Sequence, residues 1–347
     1  MSKPSGDPKS QHTVQRSLLL GFAGTNSYLQ YRNRTGEDRR ISCKKASAED
    51  HFYTFYDDDG TRRLDVDDGM RKRVEDAFPA LRTAVQTDTL TVRSRKDLNL
   101  YVALSLMRTR TFRDLLRQAQ RITGHYARRQ EMAYRYGRDL RTLSPTARDT
   151  LEQAALTMER MAPRHPREAR VRDLRTFVDQ TDIAYKRLQV LKWHHHEFEQ
   201  LLLITSDAGV GVLRPDPDPG GVLPHRGIAF LPLSPTSLAV ATTKKQHQML
   251  ETITDLATVS NQALSDAAYQ ETFRHPEMPW PTDVQLGVDG PRLNIRLVRP
   301  RPGKQIQVDA TAALVSHYAR TGMHPFLRDL MDRLNETLPL DPSDPSD

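Results

Sequence analysis

The chain has 347 residues, long enough to bury a substantial core in one large domain or two. Its net charge is +7, and 40 of its 51 basic residues are arginine, which points to an anionic partner such as nucleic acid or to a GC-rich coding bias. Hydrophobic content of 37% excludes wholesale disorder, and no run of about 18 apolar residues exists to span a membrane.

Residues 1–10 carry Pro, Gly, Ser and Asp without an apolar stretch, and read as a flexible tail rather than a signal peptide. A polar pair, Gln11-His12, then leads into the apolar run that ends at Phe22. Ser27 to Arg32 alternates as a strand, Asn33 to Glu37 is turn-like around Gly36, and Arg39 to Cys43 resumes the strand pattern. Asp50 to Tyr56 is aromatic-rich and stops at Asp57-Asp58-Asp59-Gly60, a turn signal. Cys43 is the lone cysteine, which suits a reducing cytoplasm. It reads as a small residue at a strand end, although Lys44 and Lys45 beside it would favour a thiolate.

Val66, Met70, Val74, Phe78, Leu81 and Val85 predict a helix kinked at Pro79. A second helix starts near Lys96. It is apolar almost all round from Leu98 to Met107, the mark of a buried helix, and it ends in Arg108-Thr109-Arg110. Residues 111–170 form an arginine-rich helical segment. Within it Ser144-Pro145 opens a helix through Met161, and Pro163 to Pro166 reads as a break. Residues 170–200 predict a long helix whose C-terminal part carries His194-His195-His196.

A central β region covers about 201–242. Strands are expected at Leu201–Ser206, Gly209–Leu213, Ile228–Leu233 and Ser237–Thr242, with Ser234-Pro235 turning the last pair. Gln246 to Phe273 reads as one long helix. A hairpin about Asp289-Gly290 follows, then helices near 309–320 and 325–337. Residues 341–347 read as an acidic disordered tail. The class is α+β: a single helix-rich domain over 11–340, with a short N-terminal strand region, the central β region and a C-terminal hairpin plus helices.

Several of these segments recur as an ordered set. Gln11-His12 precedes the apolar run to Phe22, and Tyr31 to Gly36 joins a tyrosine strand to a charged turn. Glu49 precedes Phe52-Tyr53, and a helix ends at Arg108-Thr109. Thr205-Ser206-Asp207 follows an apolar strand, Phe230-Leu231-Pro232-Leu233-Ser234-Pro235 comes next, and Asn261 lies in the following helix. Over roughly residues 11–275 this order resembles the bacterial family catalogued as domain of unknown function 4238. The chain departs from that pattern at Gln15, where proline is usual nearby, and at Asn33, where aspartate is usual. The resemblance implies a shared fold; the family has no settled activity to lend a mechanism.

The candidate site comprises His12, Arg108 and Asp207, with Glu75 and Asn261 in support. All are polar residues at the ends of apolar elements, where a core opens to solvent. Histidine titrates near neutrality and serves as acid or base; Arg108 would stabilise developing negative charge; Asp207 would orient His12 or hold a metal. The opposing reading pairs Arg108 with Asp207 or Glu75 inside the core and makes His12 a helix cap. Arg113, Arg117, Arg121, Arg128, Arg129, Tyr134 and Arg135 are the candidate anion-docking residues, with tyrosine available to stack bases.

His195 and Glu199 at i, i+4 fall short of a zinc signature, and the three histidines read as a solvated helix end. No phosphate loop, dinucleotide glycine motif or serine elbow is present, so no nucleotide cofactor is implied. A divalent metal has no ligand pattern behind it. Two readings therefore stand. One is a cytoplasmic hydrolase of nucleic acid or another phosphate-bearing partner; the other is a non-catalytic regulatory or interaction protein whose polar set is a structural network.

Overall fold

The computed structural model describes residues 10–50, 55–56, 62–63, 74–114, 144, 146, 166–213, 227–252 and 255–284. Their elements, in chain order, begin with β1 (Ser10–His12), α1 (Arg16–Leu20), β2 (Tyr28–Asn33), β3 (Asp38–Ser42), β4 (Ala48–Asp50), β5 (Phe55–Tyr56) and β6 (Arg62–Arg63). The helices α2 (Phe78–Gln86), α3 (Val92–Met107) and α4 (Pro166–Gln189) follow. The rest is β7 (Lys192–Glu197), β8 (Thr205–Ser206), β9 (Gly211–Leu213), β10 (Ile228–Ser234), β11 (Ser237–Thr242), α5 (Lys244–Leu250), α6 (Leu256–Ala267) and β12 (Glu271–Arg274). The class is α+β, and among the described residues no helix is long and apolar enough to cross a membrane.

Two four-stranded antiparallel sheets organise the molecule. The first runs β7-β11-β10-β9 and the second β3-β2-β12-β8; β1 pairs with β4, and β5 with β6. In the first sheet β10 and β11 form the hairpin expected around Ser234-Pro235, with Phe230 opposite Val240. Every residue from Ile228 to Leu233 and from Ser237 to Thr242 is buried, so both faces of these strands are covered. In the second sheet β12 lies between β2 and β8, pairing Phe273 with Tyr31 on one side and with Thr205 on the other.

The buried helix is α3. Thr91 caps it through a box with Ser94, their amides and hydroxyls bonding reciprocally at 2.8 and 3.1 Å. All ten residues from Leu98 to Met107 are buried, as their apolar pattern requires. Tyr101 stacks on Phe78 of α2 with ring centroids 4.0 Å apart. Asn99 accepts the Trp193 indole N–H at 2.8 Å and so ties α3 to the first sheet.

The fold differs from the sequence reading at four places. α2 starts at Phe78 after a turn at residues 76–77, and Pro79 stands in its first turn, where a missing N–H has no helical bond to lose; residues 66–73 of the predicted helix lie outside the described residues. The predicted 170–200 helix ends at Gln189, and residues 192–197 are strand β7 against β11. The predicted 246–273 helix is α5, α6 and β12. Asp255 breaks it by accepting the Thr258 amide at 2.9 Å as the cap of α6. Residues 201–204 do not join a strand ladder. The amides of Leu202 and Leu203 instead share the Pro235 carbonyl at 2.9 Å each.

The N-terminal tail to residue 9, the helix from Ser144 to Met161 apart from two of its residues, the 284–297 hairpin beyond residue 284, the C-terminal helices and the 341–347 tail lie outside the described residues.

Candidate functional site

His12 sits at the end of β1, opposite Ala48 of β4. The chain then turns into α1, and Thr13 locks the turn by donating its amide (2.8 Å) and hydroxyl (3.2 Å) to the Ser47 carbonyl. One residue earlier, the Ala46 carbonyl meets His12 Nδ1 at 3.1 Å. A carbonyl can only accept, so Nδ1 carries the proton and Nε2 keeps its lone pair. The half-buried ring is held below its ordinary pKa, first by loss of water and then against the pull of the Ala46 carbonyl; Arg108 pushes it further down and Glu75 raises it.

Arg108 terminates α3, and its guanidinium is buried against the carboxylate of Glu75. Two turns back on the same helix, Tyr101 lies fully buried in the field of Glu75, Arg108 and Arg82, with the Ser105 hydroxyl near its own. Burial holds the Tyr101 hydroxyl well above its ordinary pKa, so it is a neutral donor. His12, Glu75 and Arg108 therefore share one neighbourhood. The pairing of Arg108 is with Glu75, one of the two partners the structural reading named.

Asp207 and Asn261 are engaged elsewhere. Asp207 follows β8, and its carboxylate accepts three consecutive backbone amides: Tyr269 (2.7 Å), Gln270 (2.8 Å) and Glu271 (3.1 Å). Its own amide donates to the Glu271 carbonyl at 2.9 Å, which closes the clasp. Burial pushes the Asp207 carboxyl up to about 6, against the three amides and with the Glu271 charge adding to the rise. The Ala46 carbonyl, and not Asp207, orients the imidazole of His12.

Asn261, buried on α6, accepts the Ile204 amide at 3.0 Å and donates to the Leu202 carbonyl at 2.7 Å. It supplies residues 202–204 with the bonds that a neighbouring strand would otherwise give. His12 likewise does not cap α1: the cap position is Gln15, which makes no side-chain cap bond.

Glu271 was hidden inside the predicted 246–273 helix. Its carboxyl is raised by burial, and Arg110, Ser47 and Arg39 pull it back down. It approaches the same Ala46-Ser47 segment that holds His12. Ser47 has φ +50°, an uncommon conformation for a residue with a Cβ. The β-branched and aromatic pair Thr272-Phe273 is the only local hint of a strand there, and both residues are buried. Arg34 was also missed. It donates to the carbonyls of Ser265, Ala268 and Tyr269 at the C-terminal end of α6, where a cation suits the helix dipole.

Of the docking residues only Arg113 is described. It lies near Tyr269, whose hydroxyl donates to Asp114 at 2.8 Å. Arg117, Arg121, Arg128, Arg129, Tyr134 and Arg135 lie outside the described residues. Cys43 is fully buried at the end of β3, and burial raises its thiol pKa despite Arg16 nearby, which fits a packing residue. His195 turns to Ser237 Oγ (2.8 Å) and Glu197 (3.1 Å), not to Glu199. Among the described residues no group of three or more His, Cys, Asp or Glu is placed to hold a metal ion.

No curated protein and no solved structure matches the chain. The model of the family described as "Protein of unknown function (DUF4238)" matches residues 10–277, well over half of the chain, and the protein belongs to that family.

Proposed function

We propose that the protein is a cytoplasmic hydrolase of a phosphate-bearing partner, nucleic acid first, with His12 as its general base. The observation that carries this reading is the pinned ring. The Ala46 carbonyl holds the tautomer, burial keeps it neutral, and the ring lies in the field of the Glu75–Arg108 pair. Arg108 would offset developing negative charge from a buried, preorganised position. Asp207 enters as the clasp that fixes β12, and with it Glu271, against β8.

A second reading is favoured by that same clasp and by Asn261. With these two side chains and the Glu75–Arg108 pair engaged in bonds, the polar set works as a structural network in a regulatory or interaction protein.

The discriminating experiment offers single- and double-stranded RNA and DNA, and a generic phosphodiester, to the wild type and to His12→Gln across a salt series with and without magnesium. The hydrolase reading expects cleavage that falls by about 100-fold or more in a variant that still folds. Its rate would rise with pH through a midpoint below 6.5 and then level off, because the neutral ring is the active form. Wild-type protein that cleaves none of these substrates leaves the network reading. Absence of binding at low salt removes the nucleic-acid partner.

A further inference from the structure

The three consecutive histidines of β7 divide between its two faces. His195 turns toward Ser237, while His194 and His196 share the opposite face. There α5 lies across the sheet and places His247 over them. The His194 and His247 rings are stacked, with centroids 3.5 Å apart and planes 12° apart; His196 and His247 are 6.3 Å apart and tilted by 57°. Nε2 of His194, Nε2 of His196 and Nδ1 of His247 are all buried and without a hydrogen-bond partner among the described residues. The other nitrogen of His247 faces Glu251 at 3.3 Å.

Helix α5 has little else to hold it. It is 7 residues long, too short to persist alone, and Leu250 is its one fully buried side chain. Thr243 and Gln246 cap its start reciprocally, which fixes the first turn but not its seat on the sheet. The ring stack is therefore a large share of what docks the helix.

The charged and titratable surroundings are few. On β7 they are Lys192, His195 and Glu197, and on α5 they are Lys244 and Lys245, with Glu251 just past its end. Asp88, beyond α2, acts on His194. β11, which carries α5, has no ionisable side chain. A proton on either stacked ring creates a buried N–H with no acceptor. A second places like charges face to face.

We propose that the seat of His247 on His194 and His196 is an acid-released latch, which holds α5 on the first sheet while the two β7 rings are neutral and frees it when they become protonated. The sign follows from the environment. Burial and mutual repulsion lower the folded values of His194 and His196, so the unfolded or undocked chain binds protons more readily. Docking is complete above the ordinary histidine value of 6.5 and is lost as pH falls below it. A metal ion would lie in the plane of each ring that binds it. Two nearly parallel planes 3.5 Å apart offer no such shared point, so the stack is not an arranged metal site.

Hydrogen–deuterium exchange on the full-length protein tests the latch. After correction for intrinsic rates, amides of residues 244–252 are expected to lose about tenfold or more of their protection between about pH 7.5 and about pH 5.5. The double variant His194→Phe/His196→Phe, which keeps aromatic rings and removes both buried proton sites of β7, is expected to abolish that difference, and His194→Phe alone, expected to reduce it, serves if the double variant does not fold. Unchanged wild-type protection across this range overturns the proposal, as does an equal loss in the phenylalanine variant. If neither variant folds, NMR titration of the wild-type histidine ring protons decides: ordinary, independent midpoints overturn it, depressed and coupled ones support it. Zinc-induced protection at the higher pH, reversed by a chelator, would make the cluster a metal site and also overturn the latch.

Discussion

The two sheets are built on different principles. The first draws all its strands from residues 192–242, and its central hairpin is apolar and buried throughout. The second gathers strands from residues 28–42, 205–206 and 271–274, and its joints are polar. Asp207 clasps the start of β12, Thr272 donates its hydroxyl to the Arg32 carbonyl at 3.1 Å, and Arg34 ties the β2–β3 turn to the end of α6. Apolar burial is non-directional and suffices where neighbours are close in sequence. Segments hundreds of residues apart need directional bonds to set their register.

This contrast sets an order of expected effects. Phe230→Ala in the first sheet should cost about 3–5 kcal/mol by urea denaturation, the usual result of emptying a large aromatic site. Asp207→Ala in the second should cost about 3 kcal/mol, since it takes the buried acceptor away from three part-buried amides. A loss under about 1 kcal/mol there would break the comparison. Asn261→Ala, which unpairs the Leu202 carbonyl and the Ile204 amide, should cost about 2 kcal/mol. Trp193→Phe removes a single bond to Asn99 and should cost about 1 kcal/mol.

A last effect is a slope. The Asp207 carboxyl is raised from 3.8 to about 6, so its stabilising share is complete below the lower value and is lost as pH rises through the upper one. Asp207→Asn should flatten that part of the stability profile relative to wild type. A Phe230→Ala profile parallel to wild type over the same window would confine the effect to the second sheet.

The same division explains what could be read from the residues. The β10–β11 hairpin, the buried run of α3 and the β2–β3 turn are encoded within a few residues, and the sequence reading places them. In that turn Asn33 accepts the amides of Thr35 and Glu37 at 3.1 and 2.9 Å, and Gly36 adopts φ +86°. β7 falls inside the predicted helix because Leu188, Leu191 and Phe198 continue the helical stripe across it; its strand character comes from β11 beside it. His12 lies in the field of the Glu75–Arg108 pair, but nothing local tells Asp207 whether to face a ligand or the amides of residues 269–271. Glu271 and the His247 stack had no local signal of their partners at all.

The sequence by itself determined the α+β class, the buried helix and the apolar hairpin, because each rests on periodicity or turn chemistry over a short span, and it indicated the family by resemblance through an ordered set of short segments. Only the tertiary structure decided which polar side chains hold the backbone and which ring seats on which. Such partners are chosen by distance in space: the amides that Asp207 holds, the carbonyl that Asn261 holds and the ring stacked on His247 all lie tens of residues away in the chain.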